Sequence, residues 1–87
     1  MSGRVVPIGQ VDVAFAVSAW AARPSASLRR ILERDGQIVP LLVTEHVREG
    51  EVRYVATDSR QAERLGALRQ LGWDTVLVET DWCEDDL

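Results

Sequence analysis

Thr57-Asp58-Ser59-Arg60-Gln61-Ala62-Glu63-Arg64-Leu65-Gly66-Ala67-Leu68-Arg69-Gln70-Leu71-Gly72 decides how this chain is read. The stretch follows a β-rich run, opens with three residues able to cap a helix, and places an arginine in the first turn. Ala62, Leu65, Leu68 (with Ala67) and Leu71 recur at helical spacing. This predicts a helix from about Asp58 to Leu71, closed by Gly72. A helix start offers unpaired N–H groups and a positive dipole end, so the turn is a candidate anion site. Gly66 inside the helix costs about 1 kcal/mol relative to alanine. It signals either close backbone packing or a break.

Val52 to Ala56 reads as the preceding strand, with Val52, Tyr54 and Ala56 on one face and Arg53 and Val55 on the other. Glu49-Gly50-Glu51 is a turn, with glycine supplying positive φ. Ile38-Val39-Pro40-Leu41-Leu42-Val43-Thr44 is β-rich, and Leu41 to Thr44 is the predicted strand. Before it, Ser25 or Ser27 caps a helix running to about Arg34, with Leu28, Ile31 and Leu32 facing inward. Asp35-Gly36 ends that helix through a left-handed glycine cap.

Val5-Val6-Pro7-Ile8 is a first strand, held by Pro7 to an edge or a strand end. Thr75 to Val78 is the last. Val11 to Trp20 fits two readings, since Val11, Val13, Phe15 and Val17 alternate while the alanines suit a helix. Ala21-Ala22-Arg23-Pro24 is a break. The expected fold is a small α/β (α+β) domain over residues 1–78, with a mixed sheet of about four strands and two main helices. An acidic tail, 79–87, follows.

The 87 residues suit one small domain with a thin core, which leaves a homodimer or a docked partner open. The single cysteine, Cys83, cannot form an internal disulfide, so a cytoplasmic setting is expected. No apolar run reaches the length of a membrane span. All ten bases are arginine, and Glu79, Asp81, Glu84, Asp85 and Asp86 crowd the end of the chain. With a net charge of −4, direct DNA binding is disfavoured, because such binding draws on phosphate neutralisation. The tail, through Trp82, Asp85 and Asp86, is a candidate contact for a protein partner, or a phosphate mimic folded over an arginine-lined groove.

The order of elements and two blocks of residues resemble the ParB/sulfiredoxin superfamily. The first block is a helix ending in glycine, then G-x-x-x-P and a short strand, here Leu28 to Val43 with Gly36 and Pro40. The second is a strand, a four-residue box ending in arginine, a helix, and a glycine leading into a strand, here Tyr54 to Val76. The ParB box reads G-E-R-R and the sulfiredoxin box G-C-H-R. This chain has Thr57-Asp58-Ser59-Arg60, keeping the arginine and, at Asp58, the acidic character of the ParB form. The sulfiredoxin cysteine position holds Asp58, so sulfinic-acid reduction is not expected.

The resemblance implies a nucleotide- or phosphate-binding regulatory domain. Thr57, Asp58, Ser59 and Arg60 would face phosphate, and Gly36, Gln37 and Pro40 would lie on the loop facing the nucleotide. No cofactor is assigned beyond a nucleotide carried with magnesium, which Asp58 would hold. The alternative is a non-catalytic adaptor module of the partition or transcription-regulator type. Enzymatic activity stays open: Asp12 follows the first strand, where kinases of the superfamily carry an acid, and no pair of carboxylates suggests a nuclease. Structurally, Asp58 and Ser59 read as helix caps and His46 as an exposed strand residue. Trp20 and Trp73 read as core or lid residues, and no zinc-spaced Cys/His cluster exists.

Overall fold

A computed structural model describes residues 3–80. The strands are β1 (Arg4–Pro7), β2 (Val11–Val13), β3 (Leu41–Arg48), β4 (Glu51–Ala56) and β5 (Thr75–Thr80). The helices are α1 (Ser18–Ala22), α2 (Ala26–Asp35) and α3 (Ser59–Gln70). The five strands form one mixed sheet in the order β1-β5-β3-β4-β2. The fifth strand comes from the segment that sequence left open. Val11–Val13 pairs in parallel with Tyr54–Ala56, and the alanine-rich half turns through a short 3-10 segment, Phe15–Val17, into α1.

β3 is the shared element. Its first residues, Leu41 to Val43, pair in parallel with β5, and Thr44 to Arg48 pair antiparallel with β4. The β3–β4 hairpin closes through two residues, Glu49 and Gly50, with φ of 54° and 79°. Positive φ at both positions is what a two-residue turn requires if it is to follow the strand twist. β5 runs through Glu79 and Thr80, two residues beyond the expected Val78, and these pair with Leu42 and Val43.

The core lies where α3 meets the sheet. Val11, Leu41, Tyr54, Leu65, Leu68, Val76 and Val78 are fully buried. The inner stripe read from α3 is buried as expected, with Leu71 partly so. On α2 the stripe is narrower than expected: Leu32 is buried and Leu28 packs against the core, but Ile31 is exposed. Leu28 and Leu32, one turn apart, take the inward side, and Ile31 falls to its flank.

Gly66 marks close packing, not a break. A Cβ there would fall on the carbonyl oxygen of Ala21, with the Ala21 carbonyl carbon at 2.7 Å and its Cα at 2.8 Å. The end of α1 thus rests directly on the backbone of α3. α3 itself ends in a Schellman motif, in which Gly72 N–H donates to the Arg69 carbonyl and Trp73 N–H to the Leu68 carbonyl, with Gly72 at φ 83°. Trp73 then packs on the core, whereas Trp20 is exposed. The α2 cap differs from the left-handed form expected. Gly36 has φ 73° but ψ −167°, a region that is essentially glycine-only.

Gly66→Ala is therefore expected to destabilise the fold by about 1–3 kcal/mol, although alanine would favour the isolated helix. Urea unfolding checks this. An unchanged or raised midpoint would mean that α1 does not rest on α3 at this point.

Candidate functional site

The strand-to-helix turn at residues 57–60 is built by its caps. Asp58 is the N-cap of α3, extended in backbone, and its Oδ1 accepts from the Gln61 N–H at 2.8 Å. The Asp58 carbonyl takes the Ala62 N–H at 3.0 Å. That bond is the first of the intrahelical ladder, and of the N–H groups that a helix start leaves without an intrahelical partner, that of Gln61 is answered by the cap. Those of Ser59 and Arg60 have no partner among the described residues. Thr57, Asp58 and Arg60 are exposed and Ser59 is half-buried. The Arg60 guanidinium makes no hydrogen bond or ion pair among the described residues.

Gln61, next in sequence, is 6% exposed and was not singled out by its sequence. Its Oε1 accepts from the Leu42 N–H at 3.1 Å, filling the place beside β3 that β4 does not reach. The turn is thereby fixed against the first residues of β3. An ion pair was also absent from the sequence reading. Arg53 donates from Nε to Asp12 Oδ2 at 3.0 Å and from Nη2 to Oδ1 at 2.7 Å, and also reaches the Gly9 carbonyl at 2.9 Å. Those hydrogen bonds hold the Asp12 carboxyl below the usual carboxylate range, against a smaller opposing effect of burial. Asp12 is thus committed to joining β2 to β4.

The loop residues expected at the ligand divide. The Gln37 amide is engaged by the main chain of Leu77, accepting from its N–H at 2.8 Å and donating to its carbonyl at 2.7 Å. It extends the edge of β5 where β3 has not yet begun, a structural task that occupies it. Gly36 and Gln37 also line a cleft of about 270 Å³ between α2, the segment 36–40 and α3. Its walls include Leu28, Ile31, Leu32, Ile38, Val39 and Leu41, and its one charged lining residue is Arg64. Arg64 lies one turn along α3 from Arg60, on the same helix face. Pro40 and residues 57–60 are not among the lining residues. The cleft was hidden in the sequence because Ile38 and Val39 read only as the lead-in of a β-rich run whose strand starts at Leu41; both precede β3 and are exposed.

His46 sits exposed in β3 opposite Arg53. No group of three or more metal-binding side chains occurs among the described residues. No helix among them is long and apolar enough to cross a membrane. Cys83, Trp82, Asp85 and Asp86 lie outside the described residues.

Compared with models of protein families and with curated proteins, the sequence matches none. Among solved structures it is similar to the C2221 crystal form of a Pnob8-like ParB-N domain, with a TM-score of 0.65 and 21% identity over 91% of this chain. The match spans 29% of that chain's length. This chain therefore has a ParB/sulfiredoxin-like fold, as its two sequence blocks suggested.

Two outcomes follow from the geometry. Asp58→Ala should cost about 1 kcal/mol of stability, the usual loss for an N-cap, and Asp58→Asn far less; matching urea midpoints for Asp58→Ala and wild type would remove the capping role. The Asp12–Arg53 pair should contribute above the unfolded carboxylate value of about 3.9 and fade as pH falls through the lower folded value. The gap in melting temperature between wild type and Asp12→Asn should be widest near neutrality and close on acidification. A gap that stays constant into acid would contradict a lowered Asp12. The effect will be modest, because both partners are partly exposed.

Proposed function

We propose that this domain is a regulatory module that takes a phosphate-bearing ligand, a nucleotide foremost, at the turn formed by Thr57, Asp58, Ser59 and Arg60. The observation that carries this reading is the unpartnered Arg60 guanidinium in the first turn of α3, beside the N–H groups of Ser59 and Arg60, which the cap leaves unanswered. A guanidinium presents a fork of donors suited to phosphate oxygens. The turn is also held in place before any ligand arrives, by Asp58 on Gln61 and by Gln61 on Leu42. A preorganised donor set binds with less ordering cost.

Asp58 spends one oxygen on the cap. Its other oxygen faces no protein donor among the described residues and suits a magnesium ion brought in with phosphates, since magnesium takes one or two carboxylates and completes its shell with phosphate and water. Threonine in place of the box glycine restricts how closely a phosphate approaches the backbone at residue 57. The Thr57 hydroxyl offers a side-chain donor instead.

A second reading, a protein-interaction module of the partition or transcription-regulator type, draws on Phe15 and Trp20. They are 93% and 54% exposed, five residues apart, on the segment leading into α1 and on α1 itself. Large exposed aromatics mark contact surfaces more often than they mark small-molecule sites.

Thermal unfolding with magnesium and a panel of CTP, ATP, GTP and ADP separates the two. Ligand binding to the native state alone stabilises by about 2.7 kcal/mol at a hundredfold excess over Kd. One nucleotide is expected to raise the midpoint for wild type and to leave Arg60→Ala unmoved. No shift with any nucleotide, confirmed by titration calorimetry, sinks the ligand reading and leaves the interaction module.

A further inference from the structure

The cleft between α2 and α3 leaves three large apolar side chains open to solvent: Ile31, Ile38 and Val39, with Ile38 71% exposed. Apolar residues gathered in one lining mark a binding surface where scattered ones do not. The cleft is also preformed. Gln37 Nε2 donates to the carbonyls of Leu77 at 2.7 Å and Val39 at 3.3 Å, and Gln37 Oε1 accepts the Leu77 N–H, which fixes the segment 36–40. The Gly36 N–H donates to the Leu32 carbonyl and ties that segment to α2. Ser25 N–H donates to Glu63 Oε2 and ties α2 to α3. All three walls are thus set by bonds that no ligand has to make.

The polar groups of the lining narrow the ligand. Gln37 and Arg64 are the two polar side chains in the walls. Gln37 has spent both its N–H groups on main-chain carbonyls. Arg64 makes no hydrogen bond or ion pair among the described residues. One free guanidinium therefore stands at an otherwise apolar cavity. A nucleobase placed there would leave ring-edge groups without side-chain partners, which is costly.

We propose that this cleft binds a small apolar carboxylic acid, its hydrocarbon body against Ile31, Ile38 and Val39 and its carboxylate paired with the Arg64 guanidinium. An apolar cavity of about 150 Å³ takes up benzene. The cleft, at about 270 Å³, has room for a body of one or two fused rings or a branched chain of similar bulk. The head group follows from charge. A carboxylate brings one negative charge and two oxygens that match the guanidinium fork. A phosphate monoester, with a charge of about −1.5 to −2 at neutral pH, would bring more charge than the one lining cation answers. None of residues 57–60 lines the cleft, so the proposal stands whether or not that turn binds phosphate.

The test titrates the full chain with naphthylacetate, followed by amide resonances in NMR and by calorimetry. Naphthylethanol, which lacks the charge, and acetate, which lacks the body, serve as controls. Naphthylacetate is expected to move the amides of residues 31, 36, 38, 39 and 64 saturably, with Kd about millimolar or tighter for a ligand of this size. Naphthylethanol should bind about tenfold more weakly or worse, and acetate should leave these amides in place. Arg64→Gln, at a half-exposed helix position, should lower the affinity for the acid to that for the alcohol and leave alcohol binding unchanged. Ile38→Glu, at an exposed position, should remove binding of both while the remaining resonances stay where they are. No saturable shift in the cleft overturns the proposal. Equal affinity for acid and alcohol, or an unchanged affinity in Arg64→Gln, overturns the assignment of an acid. Displacement of naphthylacetate from residues 31, 38 and 39 by CTP overturns it in favour of a nucleotide base as the occupant.

Discussion

Helix α3 carries the structure through a contact made by an absent side chain. Because residue 66 is glycine, the carbonyl of Ala21 settles against the backbone of α3, and α1 approaches to a separation that any Cβ would prevent. The same helix is fixed at its start by Asp58 and Gln61 and at its end by the Schellman turn at Gly72. Glu63 ties its middle to the start of α2, accepting the Ser25 N–H at 2.8 Å. Arg69 reaches the Val11 carbonyl at 2.7 Å and so holds β2. One helix thus fixes both other helices and two strands, and the caps that stabilise it also set the 57–60 turn.

Much of this was legible. Alternation in Val52 to Ala56, the 3.6 period of α3, the serine cap of α2 and the glycine at 72 each state a local preference that tertiary packing left intact. The parts that stayed closed are those where local preference is balanced or overridden. Val11 to Trp20 holds a strand and a helix in ten residues, and only pairing with β4 decides where one gives way to the other. Ile38 and Val39 have strand chemistry but sit before β3 begins, so their apolar surface faces a cleft instead of the core. Ile31 carries the helical period yet lies beyond the reach of the sheet.

The candidate site was legible in part for the same reason. A capping residue followed by an arginine is a local pattern, and the turn sits where it was read. Its supports are non-local. Gln61 answers a main-chain N–H nineteen residues away and Gln37 answers Leu77 forty residues away. Nothing in the spacing of a glutamine announces that its amide will stand in for a strand. The two glutamines do equivalent work, each finishing a ladder where the neighbouring strand is missing, so that main-chain groups at the sheet margin stay paired.

The two outermost strands are also the shortest, four residues in β1 and three in β2, and β1 includes Pro7. An exposed strand edge is a template for another chain, and brevity and proline are among the ways natural sheets blunt it. Association by strand addition, whether with a peptide or in an ordered aggregate, has little purchase on this domain. The routes open to a binding partner therefore run through side-chain surfaces, where recognition depends on shape and charge and not on the generic pairing of backbones.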